Sequence, residues 1–385
     1  MTVLTPNDEA ELAEVIAGAK GPLAIRGGGT RPIGRPVDGE ELSTSALTGI
    51  TLYEPGALTL VAEAGTPIAE IEAALEAEGQ MLAFEPMDHR KLLGTEGKPT
   101  IGGVVAGNVS GPRRVQVGAC RDFLLGVRFV DGRGEIVKSG GRVMKNVTGY
   151  DLVKLMAGSW GTLGVLSEVS LKVLPKPEAT ATLRINDLSI EAAIRAMSAA
   201  LCSPFDVSGA AHTKIGIDAA PVTMIRVEGF TDSVSYRSKR LSALLAGISD
   251  ATIEIREGSP ETNSGWRSVR DSEDFAEFDG DVWRFSVKPG DAPGMVQAIE
   301  RVIGDPDRHL FQLDWGGGLI WVGCPSGADL RPSGLKGHAT LIRASDETKT
   351  CLGVFQPEPP QLAAMAAGLR RQFDPRGILN PGLMG

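Results

Sequence analysis

The spacing of apolar and polar positions changes along this chain, and each change marks an element. Thr5-Pro6 ahead of Asp8 reads as a helix start with Thr5 as N-cap, and Leu12, Val15, Ile16 and Ala19 then recur at helical spacing until Gly21. "PLAI" (22–25) predicts a short buried strand, and it runs straight into Arg26, three consecutive glycines and Thr30. "LTLVAEAG" (58–65) predicts a strand, Thr66-Pro67 a helix through Leu75 stopped by Gly79, and "MLAFEP" (81–86) a returning strand. "FLLGVRFV" and "EIVKSGG" flank an Asp131-Gly132 turn and predict a hairpin.

Pro175 and Pro177 read as a linker. Beyond them the pattern predicts a strand in "TATLRIND" (180–187), a helix over 189–201, a strand in "VTMIRVEGF" (222–230), a helix near 232–246 and a strand in "ATIEIRE" (251–257). "DVWRFSVK" (281–288), a helix near 292–303, "HLFQLDWGGGLIWVG" (309–323) and "HATLIRAS" (338–345) repeat that theme. A last helix, about 358–373, leads into "FDPRGILNPGLMG". The expected organisation is a first domain over 1–177, a second α+β domain over 178–350, and a C-terminal segment over 351–385 that packs back on the first.

Composition narrows the class. With 385 residues, 42% of them hydrophobic and 23% charged, the chain is long enough for two packed domains and outside the disordered range. The net charge of −9 argues against nucleic acid as a partner. The N-terminal stretch has neither a basic region nor an apolar run of the kind a secretory signal needs, and no window approaches ~18 apolar residues. Cys120, Cys202, Cys324 and Cys351 form no CxxC pair, so no local zinc or iron–sulfur motif and no metal site is expected, and reduced cysteines in a cytoplasmic protein are the plain reading.

The glycines hold the candidate chemistry. Neither GxxxxGK[ST] nor a GxGxxG after a strand occurs. Instead Gly27-Gly28-Gly29, Gly102-Gly103, Gly107, Gly111, Gly140-Gly141, and Gly161 with Gly164 each interrupt or end an apolar run. A tight turn explains any one of these. Several within one segment suit a long ligand that needs close backbone approach, and bare N–H groups suit an anion.

"IRGGGT" (25–30), "TIGGVVAGNVSGPRRVQVGACRDFLLGVRFVDGRG" (100–134), "KNVTGYDLVKLMAGSWGTLGVLSEVSLKVLPKP" (145–177) and "FDPRGILNPG" (373–382) together resemble the PCMH-type FAD-binding domain of the vanillyl-alcohol oxidase flavoprotein family. The resemblance implies an α+β fold: a two-part PCMH-type FAD-binding domain, a second α+β (ferredoxin-like) cap domain and a C-terminal segment returning to the first. By the same resemblance, Arg26, Gly27, Gly28, Gly29 and Thr30 wrap the FAD pyrophosphate. Pro86, Met87, Thr100, Gly102, Gly103, Ala106, Asn108 and Gly111 line the rest of the channel. Gly164 and Val165 serve the flavin or adenine side, and Asn380 returns towards the isoalloxazine ring. Relatives with covalent flavin use a histidine beside the first glycine loop. "RGGGTRPIG" has none and His89 falls outside it, so non-covalent FAD is expected.

In the second half, "DVWRFSVKPGD", "FQLDWGGGLIWVG" and "GHATLIRA" are similar to the E-subunit branch of that family, found in bacterial glycolate oxidases. This implies an FAD-binding subunit of a glycolate (2-hydroxyacid) oxidase or dehydrogenase complex. Its partners would be a homologous flavoprotein subunit and an iron–sulfur subunit, and its substrate a small hydroxy acid. The complex would work in the cytoplasm or on the inner face of the membrane, touching the membrane only through partners. A scaffold subunit that binds FAD without substrate turnover, and a stand-alone FAD-dependent dehydrogenase, stay open as alternatives.

A 2-hydroxy acid needs a cation for its carboxylate and a base for its hydroxyl proton. The HxGDGN-type segment of relatives that oxidise such acids unaided is absent, and the only histidines are His89, His212, His309 and His338. His338, opening a strand beside glycines, is the base candidate, with an ordinary surface histidine as the alternative. Arg284, alternating with apolar neighbours in "VWRFSV", is the candidate cation, with a salt-bridged structural arginine as the alternative. Asp314-Trp315-Gly316 is either near the flavin or a plain turn. Lys145-Asn146 and Tyr150-Asp151 either position the ring or pin their loop. Arg113-Arg114 is expected on a loop over the cofactor or at the surface.

Overall fold

A computed structural model describes residues 3–142, 149–213, 220–248, 251–258, 260–305 and 308–385; Lys145 and Asn146 lie outside the described residues. The chain forms two compact units. The first comprises Met1–Ser110, Ala119–Lys176 and Pro357–Gly385, the second Gly111–Gly118 and Pro177–Gln356. The segment that carries Arg113 and Arg114 thus belongs to the second unit, although its chain neighbours on both sides belong to the first.

The strands of the first unit are β1 (Leu23–Arg26), β2 (Glu40–Ser43), β3 (Ile50–Glu54), β4 (Thr59–Glu63), β5 (Gln80–Met81), β6 (Leu124–Val130), β7 (Ile136–Gly140), β8 (Val165–Lys172) and β9 (Leu174–Pro175). β1 and β2 pair in parallel, β5 pairs with β9, and the order β3-β4-β8-β6-β7 makes an antiparallel sheet. The first helix is Glu9–Gly18, and Asp8 caps it by accepting from the Glu11 N–H at 2.8 Å. Thr5 is therefore not the cap: an anionic carboxylate at Asp8 also answers the positive end of the helix. Leu12 and Ile16 pack with Leu23, Leu42, Val130, Val165 and Leu379. The C-terminal segment reaches β1 by main-chain bonds, Leu23 N–H to Ile378 O at 2.7 Å and Asn380 N–H to Leu23 O at 3.1 Å.

One strand reading of this unit changes and one helix was not foreseen. "MLAFEP" is strand only at its first residue, after which Leu82, Ala83 and Phe84 turn inward and Glu85 takes a φ of 47°. Burial without a neighbouring strand leaves that run nothing to ladder with. The glycine-rich "IGGVVA" is a helix, Ile101–Ala106, capped by Thr100, whose hydroxyl accepts from the Gly103 N–H at 3.3 Å. A side chain on Gly102 would stand 2.7 Å from Ala64 O, so glycine lets this helix lie directly on the chain leaving β4.

The second unit holds one antiparallel sheet of β10 (Ala179–Asn186), β11 (Val207–Thr213), β12 (Val222–Gly229), β13 (Ile253–Glu257), β14 (Asp281–Val287), β15 (Leu310–Asp314), β16 (Leu319–Cys324) and β17 (Gly337–Arg343). Its order, β13-β10-β12-β11-β15-β16-β14-β17, reads the same from either edge if β10–β13 are matched to β14–β17. The repeated theme in the sequence is therefore a doubled β-α-β-β-β plan joined at the β11–β15 pair. The helices Ile190–Leu201 and Ala292–Ile303 occupy equivalent places, while Thr231–Ala246 has no counterpart helix before β17. Leu183, Ile225, Val227, Trp283, Phe285, Leu313, Ile320 and Leu341 share one core with residues of these helices. Period-two alternation sends Thr182, Arg226, Arg284 and Trp321 to the other face. β11, whose "VSGAAHT" is too small and polar to signal a strand, and the helix Pro260–Asp271, whose Trp266 and Val269 pack on Ala211 and Met224, are elements the pattern did not reveal.

Candidate functional site

In the first unit β1 delivers the chain into the glycine loop. A Cβ on Gly28 would stand 1.6 Å from Lys98 O, one on Gly97 1.7 Å from Gly28 O, and one on Gly27 2.5 Å from Thr100 Oγ1. At Gly28 the loop thus lies backbone against backbone on Lys98, and this packing alone demands glycine there, whereas Gly27 faces the Thr100 side chain. Gly29 differs: its φ is +69° and nothing lies within 4 Å of a would-be Cβ. Thr30 is buried and its carbonyl accepts from the Thr95 hydroxyl at 3.1 Å, whereas Arg26 is exposed beside Glu41 at 3.4 Å.

Next to the loop stands Arg31, which the motif did not single out. Its Nε donates to His89 Nδ1 at 3.2 Å and its Nη1 to Gly103 O at 2.8 Å. Among the described residues no carboxylate pairs with it. Burial pulls its pKa down to about 10, against the opposing pull of Asp88. The fold also brings in His89 and the buried Cys120, whose thiol burial pushes well above its ordinary range. Only tertiary contact could reveal this group; its sole sequence signal is its place after "GGGT".

A second loop, Gly158–Gly161, faces the helix Ile101–Ala106: Gly158 N–H donates to Val105 O at 3.2 Å and Trp160 N–H to Ala106 O at 3.0 Å. Asn380 ties this loop to β1. Its Nδ2 donates to Trp160 O at 2.9 Å and its Oδ1 accepts from the Ile25 N–H at 2.8 Å. Within the loop, Ser159 Oγ is buried with no hydrogen-bond partner among the described residues. Pro86 and Met87 are buried, and Met87 O lies 3.3 Å from His89 Nδ1. Asn108 has a φ of 47° and accepts from the Arg121 N–H at 3.0 Å. Gly164 leaves no room for a side chain against Phe129, and Val165 pairs with Val130 across β8 and β6. Tyr150 is exposed, and Asp151 caps the helix Leu152–Met156. Gly111 is not among these residues: it lies in the second unit, where its carbonyl accepts from Trp315 Nε1 at 3.0 Å.

In the second unit Arg284 of β14 stands between Trp321 of β16 and Thr340 of β17. Its guanidinium lies 5.3 Å from the Trp315 ring centre and 6.0 Å from that of Trp321, and Arg114 lies 4.5 Å from Trp315. Burial, then the like charge of Arg114, lowers the Arg284 pKa to about 10. No carboxylate pairs with Arg284 among the described residues. His338 is opposite Ser286, which places it one diagonal step from Arg284 on the same face, and it is exposed. Asp314 turns back to accept from the Trp315 N–H at 2.7 Å, and so shapes the turn that presents Trp315.

Arg113 corrects the expectation of a surface loop. It is buried and makes a two-pronged bond to Glu228, at 3.1 and 2.8 Å, while Arg226 Nε lies 3.3 Å from the same carboxylate. Burial acts to raise the Glu228 pKa, but Arg226 and Arg113 together overcome it and hold the carboxyl at about 2. His212 is buried against Thr223 at 2.9 Å, and burial lowers its pKa to about 4. His309 packs on Phe311 near Glu300. Among the described residues no cluster of His, Cys, Asp or Glu has the makings of a metal site, and no helix is long and apolar enough to cross a membrane.

With this geometry in hand, the comparisons with known proteins are direct. The family model described as an FAD binding domain matches residues 2–140. The glycolate oxidase subunit GlcE of Escherichia coli (strain K12) is 37% identical over 372 residues, 95% of this chain and 93% of that protein. The glycolate oxidase subunit GlcD of Bacillus subtilis (strain 168) is 26% identical, across 99% of this chain and 88% of that one. A solved alkyldihydroxyacetonephosphate synthase shares the fold, with a TM-score of 0.70 at 15% identity, covering 98% of this chain and 76% of its own. Since the 37% identity runs nearly end to end through both chains, this protein belongs to the glycolate oxidase subunit GlcE family of FAD-linked oxidoreductases.

Proposed function

We propose that the chain is the FAD-binding subunit of a glycolate (2-hydroxyacid) oxidase or dehydrogenase complex and takes part in oxidising glycolate to glyoxylate. The observation that carries this reading is Arg284: a half-buried guanidinium stacked on two tryptophans, with no carboxylate partner among the described residues and a second arginine beside it. Such a group is poorly solvated and uncompensated, and a substrate carboxylate supplies the missing charge. His338, on the same face, is the base for the hydroxyl proton. In this reading the second domain, 178–350, is the substrate side, with the segment Gly111–Gly118 joined to it.

The first unit fits FAD on three counts. Among the described residues no carboxylate ion-pairs with Arg31 beside the glycine loop and Ser159 Oγ is buried with no hydrogen-bond partner, and Gly29 has a φ of +69° with open space beside it. Arg31 and the backbone of Gly27 to Thr30 would hold the diphosphate. Met87, Thr100, Gly102, Gly103, Ala106 and Ser159 would bound the rest, with Pro86, Asn108, Gly164 and Val165 shaping the walls. Asn380, whose side-chain oxygen and nitrogen both bind main chain, is a positioning residue for β1 and the Gly158–Gly161 loop. When bound, FAD accepts the electrons that leave the substrate's C–H bond.

The relatives are named as oxidase subunits, which supports a multi-subunit complex; in this reading its other members are a homologous flavoprotein subunit and an iron–sulfur subunit, and it works in the cytoplasm or at the inner membrane face. A scaffold role without turnover has one observation in its favour: packing on Lys98 would keep Gly28 even in a chain that had ceased to react. The absorption spectrum of the purified chain, followed by anaerobic glycolate, separates the readings. Flavin bands that bleach support turnover by this chain. Bands that persist favour the scaffold role, and a protein that takes up no FAD overturns both.

A further inference from the structure

Three consecutive residues between β15 and β16 take left-handed backbone angles: Trp315 with a φ of 54°, Gly316 with 66° and Gly317 with 100°. At the second and third positions glycine has two reasons. The angle suits it, and a side chain would run into Leu201 or Ile194 of the helix Ile190–Leu201. At the first position the same kind of angle is held by the bulkiest side chain, with a strain that glycine or asparagine would avoid. Something other than the turn calls for an indole at 315.

Apolar packing is not that reason. Trp315 is buried, yet it stands outside the large apolar core of its unit, to which Trp283 belongs. Two guanidiniums lie against its ring, Arg114 at 4.5 Å and Arg284 at 5.3 Å from the centre. The ring is fixed at its edge, where Nε1 donates to Gly111 O at 3.0 Å, and through its backbone N–H, which Asp314 accepts at 2.7 Å. Like charges this close repel each other, so Arg284 left to itself would swing away from Arg114 towards water. A π face held in place gives its guanidinium a reason to stay.

We propose that Trp315 is a positioning residue for substrate: its indole holds the Arg284 guanidinium where, and in the orientation in which, a substrate carboxylate meets it. This rests on the reading of Arg284 as the cation for that carboxylate. The strain at 315 is then the cost of having the guanidinium in place before the ligand arrives. The other buried guanidinium on this face shows the contrast. Arg226 also lies against a tryptophan, 4.7 Å from Trp266, but Glu228 and Ser208 fix it, and Trp266 comes from an ordinary helix, Pro260–Asp271.

The test is anaerobic calorimetric titration of glycolate into the FAD-loaded full chain, with a thermal scan of each variant. Arg284→Gln comes first and weakens glycolate binding at least about tenfold. Unchanged binding there overturns the reading of Arg284 itself, before residue 315 is touched. Trp315→Leu keeps apolar bulk and Trp315→Asn suits the backbone angle; each lacks the ring and weakens binding roughly tenfold, with FAD content unchanged. Trp315→Phe restores a π face and returns the affinity to within about threefold of wild type. Because Trp315 acts through Arg284, the Trp315→Leu, Arg284→Gln double variant binds within about twofold of Arg284→Gln alone.

Wild-type affinity in the Leu and Asn variants overturns the inference. So does a double variant in which the two losses multiply, since Trp315 would then act independently of Arg284. A loss in Trp315→Phe as large as in Trp315→Leu overturns it too, and decides the matter where Arg284→Gln binds too weakly to titrate further. An unfolded Leu variant leaves the Asn variant to decide. Unfolding of both makes the indole a requirement of the fold and overturns the inference as well.

Discussion

In the first half of the eight-stranded sheet Thr182 of β10 stands opposite Arg226 of β12; in the second half Arg284 of β14 stands opposite Trp321 of β16. Thr182 and Arg284 lie the same number of residues ahead of the helix that follows each strand, so the two pairs are equivalents of the doubled plan. The first pair is closed. Arg226 meets Glu228 and both oxygens of Ser208, stacks 4.7 Å from Trp266, and the Trp266 N–H bonds Thr182 at 2.8 Å. The second pair is open: Arg284 has tryptophan faces and a like charge, with no carboxylate among the described residues. One architecture thus holds a guanidinium in two ways. In one a carboxylate of the chain completes the group; in the other aromatic faces and a like charge surround it.

Breaking the closed side has the largest expected effect. Glu228→Gln removes the buried carboxylate that Arg113 and Arg226 share, which costs about 3–5 kcal/mol and lowers the melting temperature by on the order of 10 °C. A thermal scan showing no change would mean the arginines relax into water, and the contrast with Arg284 would lose its basis.

The closed side also sets a pH response. Burial holds His212 at about 4 against an ordinary value of 6.5, so the folded chain keeps it neutral while the unfolded chain takes up a proton first. Stability is full above pH 6.5 and declines as the pH falls towards 4, by on the order of 3 kcal/mol from this group. Glu228, held at about 2 against 4.5, contributes stability that is complete above pH 4.5 and lost as the pH falls towards 2. Urea unfolding at a series of pH values checks the order of these windows: His212→Gln should flatten only the upper one.

The open side should behave in reverse. Arg284→Gln removes stacking contacts of about 0.5–1 kcal/mol, so the melting temperature hardly moves. The loss of a charged bond to the substrate, about 1.5–3 kcal/mol, raises KM for glycolate roughly 10–100-fold. Steady-state kinetics beside a thermal scan decide it. A stability loss as large as that of Glu228→Gln would make Arg284 a structural arginine after all.

Much of this protein was legible beforehand where local rules suffice. Ser189 caps its helix through the Ala192 N–H, the turn after Asp131 closes the hairpin, and the sheet helices begin within a residue or two of their predicted positions. The misses share a cause. β11 is a strand because β12 and β15 flank it, although its small residues carry no signal of their own. The helix at Ile101 needs Gly102 for contact with Ala64, a reason visible only once the two are adjacent. In the candidate site, "GGGT" carried neither the packing of Gly28 on Lys98 nor the place of Arg31 beside His89.

By itself the sequence determined the local periods, the turns and most of the sheet elements, because each depends on neighbours a few residues away. Tertiary structure alone decided which charges are satisfied. Arg113 and Glu228 are 115 positions apart and form a two-pronged ion pair, Arg31 and His89 are 58 apart and in contact, while Arg284 is left with aromatic faces. Pairing is a through-space relation, and the cost of an unpaired charge depends on burial, which no stretch of sequence carries within itself.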